Sequence, residues 1–250
     1  MPNLASHMAL ALDALGGLPG HILEGALGSY VLGATAPDIR VMTQWSRDRT
    51  HYASLESEGV GAGVGGFLRA NPELDRPERL GRETRAFVAG YMSHLVADQV
   101  WIIRVYRPFF GNRQVYRDGL EGNIMDRALQ LDMERQSRDR VAGVVPLLEG
   151  AEAQVDVGFL GAGTLREWRQ RVQGILGRDF SWESLRLFVS RRYYVDGEGA
   201  LEVVDRFLSS VEQGLDQIYE RVPRPVVEAY KEQAIGEMLN FTERYITCDR

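Results

Sequence analysis

Apolar residues recur at helical spacing along most of the chain, and no segment sustains the period-two alternation with β-branched enrichment that marks strands. Leu4, Met8, Ala11, Leu12 and Leu15 give a first helix over residues 3–16, ended by Gly16-Gly17. A second apolar segment runs from Ile22 to Leu32, opened by Pro19-Gly20 and closed by Gly33. It hands over to Ala36-Pro37-Asp38, where the proline bends the chain and sets Asp38 just past a helix end. Trp45 to Tyr52 is polar and reads as a loop. The longest apolar pattern spans Arg79 to Tyr106 and is expected to stop before Pro108. Further helical patterns cover 114–142, 164–177, 182–194, 198–221 and 225–245, with an irregular linker over 155–163. In the last pattern Ala229, Tyr230, Ala234, Met238, Phe241 and Tyr245 form a stripe that either closes a core or makes an interface, such as one between copies of the chain. The expected class is all-α, a single domain over 1–250 of about eight to ten helices. Residues 1–145 carry the polar groups in apolar settings, and 146–250 form a helical C-terminal half.

Within the longest pattern, residues 86–103 are apolar nearly all round a helix, which predicts burial. Yet His94 and Asp98 stand four residues apart on one face of it. An ionised carboxylate inside a core is costly unless it is paired. A hydrogen-bonded His–Asp pair satisfies that demand, and so does a divalent metal held by both; this stretch alone admits either.

Composition narrows the chemistry. The net charge of −6 and pI near 5.4 argue against a general nucleic-acid surface. Lys231 is the only lysine, so there is no Walker lysine and a Schiff-base lysine is not expected. Cys248 is the only cysteine, which excludes an internal disulfide and a thiolate cluster. No basic segment leading into an apolar run opens the chain, and no uninterrupted apolar stretch has the length of a membrane span; a cytoplasmic protein is expected. The glycines of residues 59–66 lack the Lys-Ser/Thr of a phosphate loop, and suit a helix packed tightly on a neighbour or a lid.

The chain has four histidines. His7, His51 and His94 lie where a helical scaffold can converge them with Asp38 and Asp98, whereas His21 reads as a surface residue. Three imidazoles and two carboxylates suit one or two zinc ions, and equally iron or manganese. With no cysteine among them, a mixed nitrogen–oxygen site that keeps a water is the natural form.

Met1-Pro-Asn-Leu-Ala-Ser-His7, Leu32-Gly-Ala-Thr-Ala-Pro-Asp38-Ile, Thr50-His51 and Gly90-Tyr-Met-Ser-His94-Leu-Val-Ala-Asp98-Gln-Val-Trp101 resemble, in that order, the bacterial zinc-dependent phospholipase C family. The resemblance covers roughly residues 1–105. It implies an all-α fold shared with fungal single-strand nucleases. It also implies that Asp38, His51, His94 and Asp98 hold one metal, and that His7 joins Asp98 on a second, helped in the family by the mature amino terminus. Residues 1–6 precede His7 here without an evident cleavage site, which leaves that help in question. The family's third metal takes two more histidines and a glutamate downstream, but no histidine follows His94. Asp118, Glu121 and Asp126 are the acidic residues that an altered site would draw on, or else part of a solvated helix face.

The resulting expectation is a zinc-dependent, phospholipase C-like hydrolase acting on a lipid-headgroup or small-molecule phosphoester, with Asp38 orienting or deprotonating the attacking water as the resemblance implies. Arg104 and Arg107 either bind the substrate phosphate or pair with local carboxylates. The Arg191-Arg192-Tyr193-Tyr194 run reads as surface. Two other readings stand beside this one: a non-haem iron oxygenase on the same site, and a scaffold protein that a metal only stiffens.

Overall fold

The structure, a computed structural model, describes residues 3–18, 23, 25–193 and 197–247. Among these the α-helices are α1 (Leu4–Leu15), α2 (Leu27–Gly33), α3 (Arg40–Thr43), α4 (Arg47–His51), α5 (Ala62–Ala70), α6 (Arg82–Trp101), α7 (Gly119–Ala142), α8 (Ala162–Leu176), α9 (Glu183–Arg192), α10 (Gly197–Ser209), α11 (Val211–Arg221) and α12 (Arg224–Thr247). Three 3-10 turns, at Ala36–Ile39, Pro77–Arg79 and Val145–Leu148, join them, and no strand occurs among the described residues. The expected readings at Pro19-Gly20, His21, Ile22, Tyr194 and Cys248 lie outside the described residues.

The class is all-α, with more helices than the eight to ten expected. Two single-turn helices, α3 and α4, are too short for periodicity to announce them. The pattern over 198–221 is two helices, because Ser210 takes an extended backbone (φ −153°, ψ 83°) that no helix continues through.

α6 is the axis of the core. Every residue from Ala86 to Trp101 is buried, and α1, α2, α5 and α12 pack around it. Its crossing with α2 is very close. A methyl built on Gly90 would sit 1.9 Å from the Tyr30 carbonyl oxygen, and one on Gly33 2.1 Å from that of Phe87. Only glycine permits backbones to approach this far. The glycine-rich segment is used the same way: added methyls on Gly63 and Gly66 would lie 2.9 and 2.2 Å from the carbonyl oxygens of His51 and Tyr52. It is a packed helix, α5, rather than a lid.

α6 does not stop before Pro108. It continues as a π-helix, Ile102–Phe110, with Pro108 inside it. The wider turn hydrogen-bonds five residues back, as Gly111 N–H does to the Tyr106 carbonyl at 2.7 Å. The missing proline N–H is therefore accommodated without breaking the rod. The combined helix, Arg82–Phe110, is long and apolar enough by length and composition to cross a membrane, which the sequence reading had not expected. Its most apolar window is 94% buried inside the protein, as the central helix of a folded core must be. α12 brings the C-terminal half onto that core by packing on α6 and α1, so its apolar stripe closes the interior.

Candidate metal centre

Five side chains from four segments meet beside α6. His7 comes from α1, Asp38 from the 3-10 turn at Ala36–Ile39, His51 from the last residue of α4, and His94 and Asp98 from one face of α6. The ligand atoms of His7, His94 and Asp98 all lie within 4.8 Å of one another, and so do those of Asp38, His51 and His94. His7 Nε2 is 3.4 Å from Asp98 Oδ1, while His51 Nε2 and His94 Nε2 lie 3.1 and 4.0 Å from Oδ2. The rings of His7 and His94 stack with centroids 3.6 Å apart. His7, His51, His94 and Asp98 are buried, whereas Asp38 is partly exposed and opens one edge of the cluster to solvent.

The surroundings fix which nitrogen each ring presents. His94 Nδ1 is 2.9 Å from the Ala34 carbonyl, which can only accept, so the proton sits on Nδ1 and the Nε2 lone pair faces the cluster. That carbonyl is at the end of α2, delivered by the Gly33–Gly90 crossing. Thr50 Oγ1 donates to the Arg47 carbonyl and lies 2.8 Å from His51 Nδ1, so it accepts the His51 proton and frees that Nε2 as well.

Several atoms of the cluster have no hydrogen-bond partner among the described residues. His7 Nδ1 and Nε2, His51 Nε2, His94 Nε2 and Asp98 Oδ1 are all buried and unsatisfied. Buried polar atoms are nearly always bonded, and each one left over costs roughly 1–3 kcal/mol. Several converging on one point are what a cation would satisfy, and imidazole nitrogens with carboxylate oxygens are the donors that zinc, iron and manganese take. Burial, then the neighbouring His7, holds His94 well below the usual imidazole range despite the opposing pull of Asp98. Burial pushes Asp98 upward, but the imidazoles of His51, His7 and His94 outweigh it and hold the carboxyl well below the usual carboxylate range. At neutral pH the cluster thus offers a neutral His94 and an ionised Asp98. The buried His/Asp cluster can hold a metal, which is compatible with metal-dependent function.

The remaining candidates sit elsewhere. Arg104 is exposed and donates from Nε to Gln233 Oε1 at 2.8 Å, and Arg107 donates to the carbonyls of Leu55 and Ser57. Asp118 caps α7 by accepting from Leu120 N–H at 2.8 Å, and Glu121 faces Arg221 at 3.5 Å. Asp126 is no solvated-face residue: it is buried and accepts from Trp101 Nε1 and Gln130 Nε2 at 2.9 and 2.7 Å. Sequence reasoning missed Arg47, whose Nη2 lies 3.2 Å from Asp98 Oδ2. The signal was its spacing of four from His51, which means something only once the segment is known to be a helix. Comparison with known proteins adds nothing to this geometry: no family model, curated protein or solved structure matches the chain.

Proposed function

We propose that this protein is a metal-dependent hydrolase of phosphate esters, similar in its chemistry to the zinc-dependent phospholipases C. The observation that carries the reading is the set of unsatisfied imidazole and carboxylate atoms facing one another beside a partly exposed aspartate. His7, His94 and Asp98 would hold zinc on the buried side, with His51 and Asp38 next to them on the open side. The bound cation would acidify water, from about 15.7 toward about 7, and offset charge on phosphoryl oxygens. Asp38, at the solvent edge, orients the attacking water and accepts its proton on a carboxylate oxygen. Ala34 and Thr50 keep the His94 and His51 rings in the tautomer that this arrangement needs. The substrate is a phospholipid headgroup, a soluble phosphodiester or a phosphomonoester.

Elemental analysis of protein purified without added metal, followed by assay on a chromogenic phosphodiester and a chromogenic phosphomonoester, tests the reading. Zinc with turnover supports it. Iron with a visible absorption band points instead to dioxygen chemistry, and zinc without turnover of any ester reduces the cluster to a structural staple.

A further inference from the structure

A cavity in the C-terminal half involves none of the cluster residues. The extended backbone at Ser210 splits α10 from α11, and these two helices pack on each other and on α7 around a space of about 70 Å³. Val203, Arg206 and Phe207 line it from α10 at spacings of three and four, which is one face of that helix. Gly214, Ile218 and Arg221 line it from α11 at the same kind of spacing. A methyl on Gly214 would stand 2.5 Å from Phe207 Cδ2, so the missing side chain is what lets the ring lie against α11 and form a wall. Glu121 of α7 and Tyr116, from the loop ahead of it, complete the argument's set of lining groups.

The polar groups here are not those of a closed core. Tyr116 is 1% exposed, yet its hydroxyl has no hydrogen-bond partner among the described residues. Burial pushes the phenol up, with the Arg221 guanidinium beside it pulling the other way, so at neutral pH the hydroxyl keeps its proton and can donate it. The Arg221 guanidinium carbon lies 4.7 Å from the Tyr116 ring centroid, and its Nη1 is 3.5 Å from Glu121 Oε1. Arg206 is exposed, and its guanidinium has no partner among the described residues.

An unpartnered guanidinium and an unpartnered phenol proton, sharing a cavity with Val203, Phe207 and Ile218, match an anion that carries an apolar body. The carboxylates of Glu121 and Asp126 also act on Tyr116 and tell against a ligand with two negative charges. The space is about half of the ~150 Å³ in which a benzene ring sits. A short chain therefore suits it better than a ring, and a tetrahedral phosphate head would leave little room for any chain. We propose that this cavity binds a short-chain carboxylate, its charge held by Arg206 and the Tyr116 hydroxyl and its chain against Val203, Phe207 and Ile218. The inference stands apart from the hydrolase reading, since none of these residues belongs to the metal cluster.

Titration of the full chain with sodium butyrate at constant ionic strength, followed by the arginine Nε–H resonances in NMR spectra, tests it. Butyrate is expected to shift the Arg206 and Arg221 signals in a saturable way. Acetate keeps the charge without the chain and butyramide keeps the chain without the charge, so each should bind several-fold more weakly. Arg206→Met, a substitution at an exposed position that leaves the fold intact by circular dichroism, will weaken butyrate roughly tenfold or more, the loss of a charge-assisted hydrogen bond. Tyr116→Phe removes only the buried hydroxyl and will weaken it several-fold; this variant, which keeps the ring and its packing, decides the matter if the methionine variant does not fold. The absence of a saturable shift in the parent overturns the proposal, as does equal butyrate affinity in the parent and both variants. Inorganic phosphate that binds as tightly as butyrate overturns the carboxylate assignment.

Discussion

Two neighbouring helices bury aspartates in the same core and treat them in opposite ways. On α7, Asp132 accepts at Oδ1 from Arg135 and at Oδ2 from Gln136 and Tyr219, at 2.7–3.1 Å. Asp126 has one donor on each oxygen. Both carboxylates are satisfied and tie α7 to its surroundings. On α6, Asp98 has Arg47 on one oxygen and, among the described residues, nothing hydrogen-bonded to the other, and it is ringed by imidazole nitrogens that also lack partners there. Burial by itself therefore distinguishes nothing; a polar group becomes a candidate centre when the fold withholds the partners it could have supplied. The glycine crossing of α2 on α6 brings the Ala34 carbonyl to one nitrogen of His94, and the Thr50 hydroxyl takes one of His51, which leaves the other nitrogen of each ring to the cluster.

The strongest way to break this comparison is to delete ligands from each side. Asp98→Ala and His94→Ala are expected to lose bound zinc, while Asp126→Ala and His21→Ala keep it; equal metal content in all four, by elemental analysis, would reject the assignment. Zinc will raise the thermal midpoint of the parent and of Asp126→Ala, and will leave that of Asp98→Ala where it is, since only a protein that binds the ion gains stability from it. The next effect is on folding alone. Asp126→Ala leaves Trp101 Nε1 and Gln130 unpaired in the core and is expected to cost about 1–3 kcal/mol in urea unfolding; no change there would mean that the two buried carboxylates are less different than their hydrogen bonds imply. The smallest is outside the ligand set. Thr50→Val keeps the shape but removes the acceptor that holds His51, and zinc affinity will fall about tenfold with secondary structure intact by circular dichroism.

Much of this was legible in the sequence because it depends on short-range spacing. His94 and Asp98 are one helical turn apart in a pattern too apolar for an exposed helix, and that conflict between burial and charge marks the axis of the fold. The joining of His7, Asp38 and His51 to that pair rested on motif order, since nothing local says that a loop at 51 folds back on a helix at 94. Arg47 was hidden for the same reason. A five-residue helix makes too few of its own hydrogen bonds to persist by propensity, and α4 is held by its packing on the 3-10 turn at Ala36–Ile39 and by the α5 glycines at its end. The π-turn through Pro108 and the break at Ser210 were equally out of reach, because each is an answer to tertiary packing rather than to the residues around it.

The cover that α12 gives α6 has a consequence for how the chain is made. A ribosome completes Arg82–Phe110, a segment as greasy and as long as a bilayer is thick, well before it begins the helix at 224 that shields it. Until then the nascent chain displays that surface to chaperones and targeting factors, and chains truncated ahead of residue 224 will be insoluble or captured by them.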